Sequence, residues 1–372
     1  MQSFEILSAI SALIWTCILL LPWKPYSTEE SLDSEPVEDD LSDVTVLIPA
    51  RNEAHMIKDT LLSVKDQGKG IKIILVDDQS DDGTAEVAEG LKIEGLKVIR
   101  GKELPSGWTG KIWALEQGFR HIKTPFLLLT DADISLKKGI VSTVKRKLVE
   151  EGWDVISLMA VLSMKSFWER ILIPSFVYFF KMLYPFRLCS KKDSKVAGAA
   201  GGFVFLKTEV IKKIGGFSSI KGEIIDDCEL AKRIKSSGFS IWLGLTHSVI
   251  SRRRYGLSDI WNMVARSAFA QLKFSFLLLF LCSICLIASF VFPFLGFFSK
   301  YGTIFSVISF LEMFLTYIPT LDFYGIPKRW AISLPFSGIL YLFMTWTSAI
   351  RYISGKRSSW KGRVYLREEK VK

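Results

Sequence analysis

The sequence predicts an α/β domain built on a mostly parallel sheet, held between membrane helices at both ends of the chain. Three observations predict it. Short apolar runs alternate with amphipathic stretches from Val44 to about Ile250, the pattern of strand–helix–strand units. Four runs with one charge or none lie outside that segment. Between the first of them and the domain, Glu29 to Asp43 holds eight acidic residues and no basic one.

The apolar runs come first. Ile6 to Trp23 is 18 residues without a charge, and Phe274 to Phe298 is 25. Tyr301 to Leu321 carries only Glu312, and Trp330 to Ile350 carries no charge. A bilayer core about 30 Å thick takes roughly 20 apolar residues at helical rise, so all four are candidate spans. A cleaved signal peptide is the rival reading of the first. No Lys or Arg precedes it and it ends in Leu-Pro-Trp-Lys, which argues for an uncleaved anchor. The tail holds Arg351, Lys356, Arg357, Lys361 and Arg363 close to the last run, which favours the side of the membrane that retains basic residues. Three full C-terminal spans would put the tail on the opposite side from the domain. One must then fail to cross, and Tyr301 to Leu321, with Glu312 and Pro319, is the one expected.

The acidic stretch, with Pro36 in it, reads as a solvated linker. The divisions are then 1–28 anchor, 29–43 linker, 44–255 α/β domain, 256–274 interfacial helix, 275–350 C-terminal membrane region and 351–372 basic tail. The net charge of +10 on 372 residues, with a mean hydropathy of +0.28, suits a domain held against anionic lipid. No zinc-finger spacing or RNA-binding aromatic motif accompanies the basic excess, so nucleic acid is not an expected partner. Five cysteines, three of them inside apolar runs, imply no disulfide framework.

Within the domain, Val44 to Pro49, Ile71 to Val76, Leu96 to Ile99 and Phe126 to Leu129 read as strands, and Glu53 to Gln67, Thr84 to Ile93 and Lys111 to Ile122 as helices. Ligands of such sheets bind beyond the carboxyl ends of the strands. There the first strand is followed by Pro49-Ala-Arg51-Asn-Glu53, the second by Asp77-Asp78-Gln-Ser-Asp81-Asp82-Gly83-Thr84, and the fourth by Thr130-Asp131-Ala-Asp133. Converging carboxylates repel unless cations or donors sit among them. Asp131 and Asp133, two apart in an extended stretch, suit Mg2+ or Mn2+ and a phosphate ligand; the bland reading is an Asp-rich turn.

Pro105-Ser-Gly107-Trp-Thr-Gly110-Lys111 opens a helix, where free amides and Lys111 suit a phosphate; an exposed lysine after a turn is the alternative. Gly201-Gly202-Phe203 would let backbone approach a bulky substrate, or would mark a bulge. In Glu223-Ile-Ile-Asp226-Asp227-Cys-Glu229, one carboxylate suits a general base. Asp226 with Glu229 also resembles a capping box, which leaves Asp227 unexplained. Ile171 to Phe180 and Ser258 to Phe274 read as interfacial or core helices. Arg252-Arg253-Arg254 reads as a bilayer-facing cluster or a diphosphate clamp.

Taken in order, these motifs resemble glycosyltransferase family 2 from about Val44 to Arg254. Leu104 to Trp113, Trp168 to Pro174, Met182 to Phe186 and Met263 to Arg266 look like its hopene-associated subgroup. The resemblance implies a GT-A fold, which is Rossmann-like. It implies a nucleotide-diphosphate sugar donor, with a UDP-sugar expected, and a metal cofactor, Mg2+ or Mn2+. Carried over by position, Pro49, Arg51, Glu53, Asp77, Asp78, Lys111 and Asp131 bind the nucleotide sugar and Asp133 the metal. Gly201, Gly202 and Phe203 meet the acceptor, Asp227 is the base and Asp226 assists it. The Gln-x-x-Arg-Trp motif of processive members is missing, which favours a single inverting transfer to a lipid, a hopanoid-related one included. The expected location is the cell inner membrane, multi-pass, with the catalytic domain cytoplasmic. A metal-dependent nucleotidyltransferase and a membrane scaffold or transporter are the alternatives.

Overall fold

The computed structural model describes residues 2–35 and 39–366; the side chains of 356–360 and 364–366 lie outside the description, as does Pro36 of the acidic stretch. Eight strands form one sheet: β1 (Val44–Ala50), β2 (Lys72–Asp77), β3 (Leu96–Arg100), β4 (Phe126–Thr130), β5 (Ile134–Leu136), β6 (Val155–Val161), β7 (Phe203–Lys207) and β8 (Ile241–Ser251). Their order is β3-β2-β1-β4-β7-β6-β8-β5. The block β3-β2-β1-β4 is parallel, β6 and β8 run the same way, and β7 and β5 run against them. Every residue of β1 is buried, as a strand covered on both faces requires.

The alternation of side chains along the strands feeds two cores. On one face Ile57, Leu61 and Val64 of the helix Ala54–Lys65 pack with Val141, Val144 and Leu148 of the helix Ile140–Glu150. On the other, Ile112 and Leu115 of the helix Gly110–Phe119 meet Leu230 and Ile234 of the helix Asp226–Ser236. The four predicted strands are thus β1 to β4, and the first three predicted helices lie within a few residues of their expected bounds.

Two features of the sheet position the site. β7 is antiparallel to β4 with Phe203 opposite Thr130, so Gly201 and Gly202 arrive at the edge where Asp131 leaves. β5 is antiparallel to β8 with Ile134 opposite Ser251, so the residues after β8 return beside Asp133.

Glu30 to Asp33 and Leu41 of the acidic stretch are anchored to the domain rather than free in solvent. Leu32 donates to the Leu245 carbonyl at 2.9 Å and Leu245 to that of Glu30 at 2.8 Å, which lays the segment along β8. The Asp33 carboxylate accepts from Thr246, the His247 amide and Ser248, and Leu41 is fully buried. Polar partners on β8, invisible in a local charge pattern, decide this.

Among the described residues, three helices are long and apolar enough to cross a membrane: Gln2–Leu20, Lys300–Phe323 and the stretch Lys328–Ile353. Tyr301 to Leu321, expected to fail, lies in an unbroken 24-residue helix. Its Glu312 accepts from Thr16 Oγ1 of the N-terminal helix at 2.7 Å, so the polar group that argued against it has a partner. Phe274 to Phe298 is instead interrupted: a 15-residue helix Phe276–Phe290 gives way at Val291 to the short Phe292–Gly296.

Side-chain contacts orient these segments. The Phe269 ring lies tilted against Phe276 at one end of the interrupted run, and Phe4 against Phe298 at the other. Ser299 donates to Glu5 at 2.5 Å. Lys300–Phe323 then runs parallel to Gln2–Leu20 and ends against the sheet, where the Phe323 carbonyl meets His247 Nε2 at 2.7 Å and the two rings stack at 4.1 Å. The helix Leu334–Ile353 packs along Phe167–Leu183 and Leu257–Gln271: Tyr341 donates to the Leu172 carbonyl, Trp261 to Thr347 and Arg351 to Asn262. After it, a hairpin of Lys356–Trp360 and Arg363–Leu366 turns back onto the α/β domain.

Candidate active site

One cleft of about 1150 Å3 runs from the strand ends to the apolar helices. Pro49, Arg51, Glu53, Lys111, Asp131, Asp133, Gly201, Gly202, Asp226 and Asp227 all line it, so most of the residues singled out in the sequence converge.

At its centre is Lys111. The loop before it is fixed by the Thr109 amide, which donates to the Lys221 carbonyl at 2.9 Å. That contact joins the Gly-rich loop to the segment leading into the helix Asp226–Ser236. The Lys111 ammonium lies 2.9 Å from Asp131 Oδ1 and 3.0 Å from Asp226 Oδ2. Burial opposes its charge, but Asp131, Asp226 and Asp227 outweigh it and hold the ammonium charged above the ordinary lysine range. Lys111 is therefore the counterion of three carboxylates as well as a candidate phosphate ligand.

The capping-box reading of Asp226 fails. The helix begins after Ile225 with no side-chain cap, Asp226 is its first residue, and Glu229 pairs outward with Lys232 at 3.1 Å. Asp226 is instead spent on Lys111. Asp227 makes the contacts to backbone: Oδ1 accepts from the Cys228 amide and Oδ2 from the Gly201 amide, each at 2.8 Å. Burial, with Asp226 adding to it, pushes the Asp227 carboxyl up to about 6, against the pull of Lys111.

The two aspartates of the D-x-D stretch face different cations. Asp131 faces Lys111. Asp133 Oδ2 accepts from Ser251 Oγ at 2.8 Å and lies 3.4 Å from Arg253 Nε. Burial pushes the Asp131 carboxyl up, with Asp133 adding and Lys111 opposing. Among the described residues no three His, Cys, Asp or Glu side chains are grouped to hold a metal ion. A divalent cation held by Asp131 and Asp133 and completed by phosphate oxygens fits this donor set, because it would relieve the surplus negative charge.

One expectation changes, that for Phe203, and the partners of Asp77, Asp78 and Arg51 become visible. Asp77 is tied up locally: its carboxylate accepts from the hydroxyl and the amide of Ser80, while Asp78 is fully buried with neither oxygen hydrogen-bonded. Arg51 donates to the carbonyls of Asp78, Gln79 and Lys361, so it braces backbone. Phe203 is fully buried with Phe205 in the sheet core, because alternation along β7 turns it away from the cleft; it does not meet an acceptor. Two arginines of the cluster turn to the domain: Arg252 pairs with Asp59 at 2.6 Å and Arg253 with Glu53 at 2.8 Å.

Sequence reasoning missed the tail. Lys361 Nζ lies 2.6 Å from Glu53 Oε1, and Arg363 Nη2 lies 3.2 Å from Asp78 Oδ1. The one available signal was a pair of basic residues around Gly362, too common to read. Tyr184 and Gln271, joined at 2.7 Å where the polar part of the cleft meets the apolar part, were also missed.

Residues 45–215 match the model of glycosyl transferase family 2. This segment is a family 2 glycosyl transferase domain. The 4,4'-diaponeurosporenoate glycosyltransferase of Staphylococcus aureus (strain bovine RF122 / ET3-1) is 28% identical over 167 residues, covering 44% of this chain and 43% of that protein. The protein of the same name from Staphylococcus haemolyticus (strain JCSC1435) is 32% identical over 108 residues, 28% of each chain. The chain thus spans less than half the length of these curated relatives. Among solved structures, mannosyltransferase PcManGT from Pyrobaculum calidifontis, in complex with GDP-Man and Mn2+, superposes with a TM-score of 0.54 at 17% identity, covering 93% of this chain and 98% of that one. The family 2 domain therefore has the GT-A fold that its motifs led one to expect.

Proposed function

We propose that the protein is a membrane-bound inverting glycosyltransferase that moves one sugar from a nucleotide-diphosphate sugar to a lipid acceptor. The observation that carries this reading is the continuity of the cleft. Its polar end holds Lys111, Asp131, Asp133 and Asp227, and its other end is lined by Phe176, Phe179, Phe180, Leu272 and Leu286 from the apolar helices. A long apolar acceptor can lie in the second part while its polar end reaches the first. The acceptor in the names of the staphylococcal relatives, 4,4'-diaponeurosporenoate, supports a lipid-like molecule; a hopanoid-related lipid is another candidate.

In this mechanism Asp227 takes the proton from an acceptor hydroxyl. The oxygen bonds to the anomeric carbon as the bond from that carbon to the diphosphate breaks, and one displacement inverts the configuration. The Gly201 and Cys228 amides fix the Asp227 carboxylate, and Lys111 faces charge growing on the diphosphate. A divalent cation on Asp131 and Asp133, Mg2+ or Mn2+, would neutralise more of that charge.

The proposed membrane disposition rests on parity. Phe323 touches β8 and Arg363 touches Asp78 after β2, which supports a reading in which both ends of Leu334–Ile353 are on the side of the family 2 domain and this helix does not cross. Phe276 to Phe298 leaves that side and Lys300–Phe323 returns to it. The parallel N-terminal helix starts on the far side. This gives three crossings, with the domain and tail together in the cytoplasm.

The test uses the full chain in lipid nanodiscs, a panel of labelled UDP- and GDP-sugars, and a polar-to-apolar lipid series with mass analysis of products. A glycolipid of inverted anomeric configuration is expected. Nucleotide hydrolysis or nucleotidyl transfer without a glycolipid overturns the reading.

A further inference from the structure

The C-terminal hairpin ends beside the strand ends of the cleft, where Arg363 pairs with Asp78 and Lys361 joins Arg253 on Glu53. Asp78 is fully buried, and both of its carboxylate oxygens lack a hydrogen bond. Across a 3.2 Å ion pair stands Arg363, whose Nη2 also donates to Gln79 Oε1 at 2.6 Å, while its buried Nη1 has no hydrogen-bond partner among the described residues. Glu53 repeats the pattern: Oε1 is shared by Arg253 and Lys361, and Oε2 is buried without a partner.

Unpartnered buried polar atoms are costly, and here acceptors and a donor lie buried without hydrogen-bond partners at one place, behind the cleft wall to which Lys361 contributes. Burial pushes the Asp78 carboxyl up to about 6 despite Arg363 and Arg51, as expected of a carboxylate short of donors. A group carrying an N–H beside a ring acceptor or carbonyl would satisfy Asp78 and Arg363 Nη1 at once. That is the hydrogen-bonding edge of a nucleobase.

Resting on the nucleotide-sugar reading of this cleft, we infer that Arg363, delivered by the C-terminal hairpin, is a base-contacting residue that completes the donor site with Asp78. The tip of the hairpin is the outer wall of that site. The Lys361 carbonyl accepts from Arg51 Nε at 3.2 Å, so the hairpin is braced by the same arginine that braces the loop after β2. The domain alone would then lack one side of its donor pocket, although that side lies more than a hundred residues beyond the family 2 match.

Isothermal titration of the full chain in nanodiscs tests this, with UDP, GDP and inorganic pyrophosphate as probes. Arg363→Ala should weaken the preferred nucleoside diphosphate by about tenfold or more, the scale of a charged hydrogen bond, and leave pyrophosphate binding unchanged. Arg363→Lys should recover little, because an ammonium lacks the fork that bridges Asp78 and a base. Melting temperatures of both variants guard against loss of fold. Unchanged nucleotide affinity in both overturns the inference. Tighter nucleotide binding in Arg363→Ala also overturns it, and would make the hairpin a plug. If the wild-type chain binds no nucleoside diphosphate, the donor reading itself fails, and this inference with it.

Discussion

The Gly201 amide donates to Asp227 Oδ2 at 2.8 Å, and a Cβ built on Gly201 would stand 3.1 Å from that oxygen and 3.3 Å from Lys111 Nζ. The carboxylate proposed as base is thus oriented by a backbone that can approach only where no side chain intervenes. Asp227 is pinned on its other oxygen by Cys228 and cannot yield without losing a bond. Gly201→Ala should lower turnover at least several-fold with donor affinity nearly kept. Transfer rates beside nucleotide titrations check it, and a wild-type rate in Gly201→Ala removes the orienting role.

Asp227→Asn keeps the size and one acceptor but not the basic carboxylate. Turnover should fall about 10²-fold or more, the usual scale of general-base catalysis, with nucleotide binding intact. Because the Asp227 carboxyl is pushed up to about 6, it gains its charge as pH rises through that value. The wild-type rate should climb from pH 5 to 7 and then level. A flat profile over that range in single-turnover kinetics would reject Asp227 as base.

Lys111→Met removes the cation among Asp131, Asp226 and Asp227. The Asp131 and Asp227 carboxyls should titrate higher without it, so the rising limb of the pH–rate profile should move to higher pH. Raised folded-state values favour the protonated form, so the variant should be most destabilised above the limb and recover as pH falls. About 3 kcal/mol at pH 8 is the scale of breaking a buried pair. Thermal melts at pH 5.5 and pH 8 measure it; equal losses at both sink the counterion role.

Burial raises the Asp78 carboxyl to about 6, so this group stabilises the fold below its unfolded value near 4 and loses that contribution as pH rises through 6. Asp78→Asn should therefore hold its melting temperature at pH 8, or raise it, while weakening nucleotide binding. A large fall in melting temperature with unchanged binding would make the Arg363 pair structural only.

Single cysteines in sealed vesicles test the membrane path. Lys300→Cys should react with an impermeant reagent from outside, and Ser354→Cys only after permeabilisation. An externally labelled Ser354→Cys would restore a crossing at Leu334–Ile353.

Local chemistry alone determined much of this protein. The first four strands and the edge where Asp131, Asp133 and Asp227 gather follow from strand–helix periodicity and from the order of short motifs. Each is a property of a few consecutive residues. What only the tertiary structure decided are pairings between distant segments. Asp33 reads as solvated until β8 offers it donors; Glu312 reads as a barrier to crossing until Thr16 faces it. Asp226 reads as a cap until Lys111 arrives from another helix. Most of all, Arg363 reads as one more charge in a basic tail. It lies 285 positions after Asp78 in the chain and becomes its partner only because the hairpin that follows the helix Leu334–Ile353 turns back onto the α/β domain. Charge and periodicity describe a segment by itself. Which buried carboxylate a cation will meet depends on the path of the chain between them, and no local pattern encodes it.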